Sequence, residues 1–184
     1  MKRLFVGILI PEVVGEKIKL IQDELVQTGA DLKLVSSNNL HFTLKFLGSE
    51  EDSKISQIVQ KLDAILLQKK KFMFSVQNVG FFPNTGHISV VWVGAESNEL
   101  VSLIKEANQS LDYIRKNEHG EEIPHLTVAR INSGKNKEQL RGVVEKFKSE
   151  VFGQVLVDKI ILFESVLTPQ GPVYTVVKEF LLRS

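Results

Sequence analysis

Two residue types recur in this sequence at a spacing that can do chemistry. The segment HFTLKF at 41–46 returns as HLTVAR at 125–130, so a His-x-Thr pattern occurs twice. In a β-strand, residues two apart point to the same face. His41 and Thr43 therefore project together, and so do His125 and Thr127. If the two strands meet, two imidazoles and two hydroxyls surround one pocket. An imidazole titrates near pH 6.5, so near neutrality one ring can accept a proton while the other donates one. Such transfers contribute roughly 10²–10⁴-fold each. Threonine hydroxyls can donate hydrogen bonds to non-bridging oxygens. The set suits attack on a phosphodiester, and needs no metal if the protein itself activates the nucleophile and protonates the leaving group.

The neighbouring residues are less clear-cut. Arg130 carries a fork of donors that matches an anionic oxygen. Strict alternation puts it on the face opposite Thr127, so it reaches the cleft only if the strand ends or twists there. The same alternation makes Phe42, Leu44 and Phe46 one apolar face and sends Lys45 to the His41 face. His87 begins a His-x-Ser pattern, HISV, that could be mistaken for a third copy, and His119 sits in a polar loop. Trp92 and Tyr174 read as core or groove-wall residues.

The bulk numbers narrow the field. The chain has 184 residues, formal net charge +1, 43% hydrophobic and 24% charged residues, which is an ordinary globular composition. A near-neutral chain has no broad basic field with which to hold nucleic acid, so any such contact is local. With no cysteine, thiolate metal sites, disulfide scaffolds and cysteine nucleophiles are excluded. The opening MKRLFVGILIPEVV ends its apolar run at Pro11-Glu12 and reads as a buried first strand rather than a signal peptide. No run reaches the roughly 20 apolar residues of a membrane helix. A cytoplasmic location and a monomer are the expectations.

Hydrophobic periodicity then supplies the elements that must position the motifs. A strand is predicted over 3–10, followed by a helix to about Gln27 with the stripe Val14, Ile18, Ile21 and Leu25. Gly29 is placed to end that helix. Strands follow at 32–36 and 40–47, with Gly48 and Ser49 breaking the pattern. A helix from about 51 to 68 carries the stripe Ile55, Ile58, Val59, Leu62, Ile65 and Leu66. Strands near 71–81 and 87–94 form a hairpin around Pro83-Asn84-Thr85-Gly86. A helix at 98–116, a polar loop at 117–123, a strand at 124–131 and a helix at 136–149 come next. Strands near 154–167 and 172–182 close the chain. No linker interrupts it, so residues 1–184 read as one domain. Each His-x-Thr strand is preceded by a helix and loop and followed by another helix, which points to two half-domains of similar plan.

The pair HFTLKFLG (41–48) and HLTVAR (125–130) resembles the 2H phosphoesterase superfamily, and within it the RNA 2′,3′-cyclic phosphodiesterases, also called 2′-5′ RNA ligases. The segments RLFVGILIPEVV, GFFPNTGHISVVWVG (80–94) and LFESVLTPQGPVYTVV (162–177) are similar to that family too, so the resemblance spans nearly the whole chain. It implies an α+β, bilobal fold: two antiparallel sheets flank a central groove, helices lie outside, and the halves are related by a pseudo-two-fold. It implies hydrolysis of an RNA or nucleoside 2′,3′-cyclic phosphate to a 2′-phosphomonoester, with reversible 2′-5′ RNA ligation, and no metal or other cofactor. His41 and His125 would be the acid–base pair, with His125 activating water and His41 protonating the departing 3′ oxygen. Thr43, Thr127 and Arg130 would bind phosphate oxygens, and Phe46 stands where the family can stack a base. RNA ends or small cyclic nucleotides would be the substrate.

Two other classes compete. A non-catalytic RNA-end binding module would keep the pocket without turnover, but binding alone would be served by lysine or arginine. A metal-dependent hydrolase would use the histidines as ligands, yet no acidic residue accompanies either motif.

Overall fold

The structure, a computed structural model, describes residues 1–83, 87–114, 123–169 and 171–184. Residues 84–86 of the predicted turn, His119 and most of the polar 117–123 loop lie outside the described residues.

Five consecutive buried residues, Leu4 to Ile8, make β1 (Lys2–Leu9) a strand covered on both faces. Helix α1 (Glu12–Gln27) follows with Val14, Ile18, Ile21 and Leu25 buried, and ends at Gly29, whose φ of 65° is the left-handed conformation glycine adopts readily. A short β2 (Leu32–Leu34) and a 3₁₀ turn (Ser37–Asn39) lead into β3 (His41–Glu50). Gly48 does not break β3. It adopts φ 84° at an irregularity in the ladder with β1, and pairing continues to Glu50.

Helix α2 (Asp52–Leu66) buries Ile58, Leu62 and Leu66, and β4 (Phe72–Pro83) pairs antiparallel with β5 (Ile88–Glu96). Helix α3 (Asn98–Ser110) is capped by Ser97, whose Oγ accepts from the Leu100 amide at 3.1 Å. After β6 (His125–Ile131) and α4 (Lys137–Phe147) come three strands, not two: β7 (Val151–Val157), β8 (Lys159–Thr168) and β9 (Gly171–Leu181). The predicted strand at 154–167 is divided at Asp158, because there the chain leaves one sheet for the other. An apolar run of this kind does not announce where it changes partners.

The first sheet has the order β3-β1-β8-β9 and the second β2-β6-β5-β4-β7, with the strand pairs antiparallel. The duplication is visible in the order of elements. β1, α1, β3 and α2 are matched by β5, α3, β6 and α4. Each half also sends a strand to the other half's sheet: β4 pairs with β5, and β8 pairs with β1. The helices cross over in the same way. α1 and α4 pack on the second sheet, while α3 packs on β3 and α2 on β9 of the first. One hydrophobic cluster takes in residues from both sheets and all four helices, with the Phe42 and Phe74 rings meeting edge-on at 5.0 Å. Among the described residues no helix is long and apolar enough to cross a membrane.

Candidate active site

The two His-x-Thr strands meet where the sheets approach each other. β3 is the edge of the first sheet. β6 is covered on its outer side by β2 only at Ala129–Ile131, so its His125 end runs beside β3 without a ladder between them. Positive charge on His125 acts on His41, and the charge of Arg130 acts on both rings. Thr43 and Thr127 are half-buried beside their histidines.

Each imidazole is held in the same manner. His41 Nδ1 lies 2.7 Å from the carbonyl of Asn39, and His125 Nδ1 lies 2.8 Å from the carbonyl of Ile123, in each case two residues upstream. A carbonyl can only accept, so the Nδ1 nitrogens carry the hydrogens and Nε2 is left for chemistry. Burial lowers the pKa of both rings from the ordinary imidazole value, although the carbonyl bonds oppose it. His125 pushes His41 further down and Arg130 pushes both, so two protons on the pair are disfavoured.

Aromatic rings brace the two imidazoles. Phe5 lies 4.7 Å from His41 between ring centroids, and Tyr174 meets it edge-on at 5.2 Å. Phe82 meets His125 edge-on at 4.9 Å, and Trp92 lies at 6.4 Å. Gly7, paired with Thr43, leaves room for this packing. A Cβ there would come within 2.8 Å of the Phe42 carbonyl oxygen and 3.5 Å of the His41 ring. Asn39 ties the β8–β9 hairpin to the site, since its Nδ2 donates to the Pro172 carbonyl at 2.8 Å.

Strict alternation fails in both strands, at the same point. In β3, Thr43 faces Gly7 and Lys45 faces Val6, so Leu44 is an extra, unpaired residue. In β6, Thr127 faces Trp92 and Ala129 faces Val91, so Val128 is extra. A one-residue bulge reverses which face the following side chains occupy. Phe46 is therefore not with Phe42 and Leu44 in the main core. It packs with Tyr174 against the separate cluster of Phe5, Ile161 and Phe163, under the Arg3 guanidinium at 5.0 Å. Lys45 does not share the face of His41 but is buried, 2% exposed, on the core side. Arg130 is likewise turned toward the groove, exposed, with its charge acting on His41, His125 and Tyr174. His87 is exposed beside Asn132, Ser133 and Lys137, apart from these rings.

The structure thus brings His41, His125 and Arg130 near enough for their charges to interact, with Thr43 and Thr127 on the histidines' strands and Phe46 in the ring cluster that contains Phe5, which packs on His41. Sequence reasoning missed Phe5, Phe82 and Asn39. The first two are apolar residues in apolar runs and carry no signal of which face they take. Asn39 lies in a turn whose carbonyl is invisible to residue type. Among the described residues no group of three or more His, Asp or Glu side chains is arranged to hold a metal ion.

Two duplicated halves, each delivering a bulged His-x-Thr strand to a shared groove, define a two-histidine phosphoesterase. The LigT-like phosphoesterase family model matches residues 8–92 and again 93–174, once per half, and the chain belongs to that family, the 2H phosphoesterases. It is similar to proteins named RNA 2′,3′-cyclic phosphodiesterase. That of Methanocaldococcus jannaschii is 38% identical over 178 residues, 97% of this chain and 99% of the relative. That of Archaeoglobus fulgidus is 36% identical over 179 residues, 97% of this chain and 99% of the relative. The crystal structure of TT0787 of Thermus thermophilus superposes with TM-score 0.81 at 26% identity, covering 98% of each chain. E. coli LigT complexed with 3′-AMP shares the fold at TM-score 0.77 and 21% identity, over 100% of this chain and 98% of that one.

Proposed function

We propose that this phosphoesterase opens the 2′,3′-cyclic phosphate of an RNA end or a nucleoside to a 2′-phosphomonoester, without metal, and that a 5′-hydroxyl in place of water gives a reversible 2′-5′ joining of RNA ends. One observation carries the reading: two imidazoles, each fixed through Nδ1 to the carbonyl two residues upstream, present Nε2 from matched strands to one groove. A cyclic phosphodiester needs a proton removed from the attacking water and a proton given to the departing 3′ oxygen. A pair that resists holding two protons is suited to holding one, and the bound phosphate's negative charge favours keeping it.

The Thr43 and Thr127 hydroxyls donate to the non-bridging oxygens, and Arg130 adds a charged donor at the far end of the β6 bulge. By the family resemblance His125 activates water and His41 protonates the 3′ oxygen. Phe46 offers a ring against which a base can stack, worth roughly 1–3 kcal/mol. The relatives named RNA 2′,3′-cyclic phosphodiesterase and the E. coli LigT complex with 3′-AMP support a ribonucleotide substrate. A cytoplasmic monomer fits these parts.

The test uses a short RNA ending in a 2′,3′-cyclic phosphate, incubated with excess EDTA. Conversion to a 2′-phosphate by the wild type, lost in His41→Ala and His125→Ala, is the expected result. Binding of the RNA without turnover by folded wild type overturns the catalytic reading in favour of an RNA-end binding module. Turnover that EDTA abolishes overturns the metal-free mechanism.

A further inference from the structure

Arg130 and Phe46 face the groove only because each strand carries one extra residue, and in both strands a helix holds that residue from behind. On β6, the carbonyl of the extra residue Val128 accepts the Val35 amide at 3.0 Å and the side-chain Nε2 of Gln22 at 2.9 Å. The same Nε2 donates to the Val35 carbonyl at 2.8 Å. Gln22 is 7% exposed and is one of few polar side chains buried among the described residues. On β3, the carbonyl of the extra residue Leu44 receives Nδ2 of Asn108 at 3.4 Å. The two amides occupy matching places. Gln22 stands ten residues beyond the start of α1 and Asn108 ten beyond the start of α3. Each helix crosses to the sheet of the other half to reach its bulge.

We infer that Gln22 is a positioning residue, which fixes the β6 bulge so that Arg130 is aimed at the substrate phosphate. The inference rests on the reading that Arg130 contacts that phosphate. Its physical basis is register. In an unbulged strand strict alternation would put Arg130 on the core face, where burying a guanidinium is costly. The Val128 carbonyl takes the Val35 amide from the chain beyond β2, and Gln22 adds a second, side-chain donor to the same oxygen. Gln22 bonds Val128 and Val35 at once, so it clamps the bulge to the segment that follows β2. Residues aimed to within about half an ångström work best when their own support is locked. Gln22 itself touches no reacting atom. It acts through the backbone at Val128 and Ala129, and so through Arg130. Asn108 reaches the Leu44 carbonyl only at 3.4 Å while the same Nδ2 donates to Ile104 of its own helix at 2.8 Å, so the firmer clamp is the one at Gln22.

The test is a double-mutant cycle with two readouts: kcat/KM on a nucleoside 2′,3′-cyclic phosphate, and calorimetric binding of adenosine 2′-phosphate, which does not depend on turnover. Gln22→Met keeps the volume and removes the donors. Alone it is expected to weaken both readouts about five- to tenfold, and to add nothing when Arg130→Ala is already present. Equal losses in both backgrounds, or no loss in the wild type, overturn the inference and leave Gln22 a packing residue. If Arg130→Ala alone changes neither readout, the phosphate role of Arg130 falls and the inference with it. That pattern is distinct from an additive Gln22 effect on top of a damaging Arg130→Ala. Thermal melts accompany each protein, and if Gln22→Met does not fold, Gln22→Asn, whose shorter amide cannot span both carbonyls, takes its place in the cycle.

Discussion

The ring of Tyr174 stands edge-on to that of His41, 5.2 Å between centroids and 87° between planes. Tyr174 also touches Phe5 and Phe163, and its hairpin is bonded to Asn39, whose carbonyl orients His41. The ring, rather than the hydroxyl, is what His41 meets. Tyr174→Phe should keep kcat/KM within about threefold. Tyr174→Ala should lose about tenfold, as expected when an aromatic pair worth roughly 0.5–1.5 kcal/mol is removed. Steady-state kinetics on a cyclic nucleotide separate the two. An equal loss in both variants would mean that the hydroxyl, not the ring, matters.

Burial holds the pKa of both His41 and His125 below the ordinary imidazole value of about 6.5. Their unfolded chain therefore binds more protons than the native one in the window just below that value. The sign follows: the native state keeps its stability above about pH 6.5 and loses it as pH falls toward the folded pKa values. Chemical denaturation at pH 7.5, 6.5, 5.5 and 5.0 should show stability declining on the acid side. The decline should be shallower in His41→Ala and His125→Ala. A wild type and mutants with parallel pH curves would refute the burial argument.

The same shift governs activity. In the free enzyme a productive pair holds one proton, and both rings release theirs below the ordinary value. The maximum of kcat/KM should therefore lie below about pH 6.5, falling toward pH 8. The kcat profile, which reports the complex, should be displaced upward because the phosphate's charge favours protonated imidazole. Measuring both profiles with one cyclic substrate checks the order of the two maxima.

Gly7 is the close-approach point behind His41. A Cβ there would sit 2.8 Å from the Phe42 carbonyl oxygen, which is backbone and cannot swing aside. Gly7→Ala should cost about 1–3 kcal/mol in urea unfolding, the usual range for overpacking. It should also lower turnover by displacing the His41 ring 3.5 Å away. Unchanged stability would mean that β1 and β3 separate more easily than their shared ladder implies.

How much of this was legible in the sequence depends on the residue. His41, Thr43, His125 and Thr127 could be read as a pair because the residue types are distinctive and the alternation within each triplet is intact. The face of α1 could be read because 3.6-residue periodicity survives tertiary packing. Phe46, Lys45 and Arg130 could not be placed, because each lies past a bulge and a bulge has no signature in apolar residues such as Leu44 and Val128. The division at Asp158 was hidden for a related reason. Its flanking strands are apolar on both sides of the break, and only the sheet they join distinguishes them.

The division of labour between the histidines is open to a chemical test. The family resemblance makes His41 the acid and His125 the base. In the free site burial lowers the pKa of both rings and their charges repel, which favours neither ring as the holder of a single proton. Substrate decides between them, because whichever ring meets the leaving oxygen must hold the proton in the complex. An aryl phosphodiester such as a 4-nitrophenyl nucleotide ester leaves as a weakly basic oxygen and needs little protonation. Loss of the acid should then matter far less than loss of the base. His41→Ala should keep most of the wild-type rate on the aryl ester while losing roughly 10²–10⁴-fold on the cyclic phosphate, and His125→Ala should lose activity on both. The mirror-image result, with His125→Ala spared on the aryl ester, would reverse the assignment.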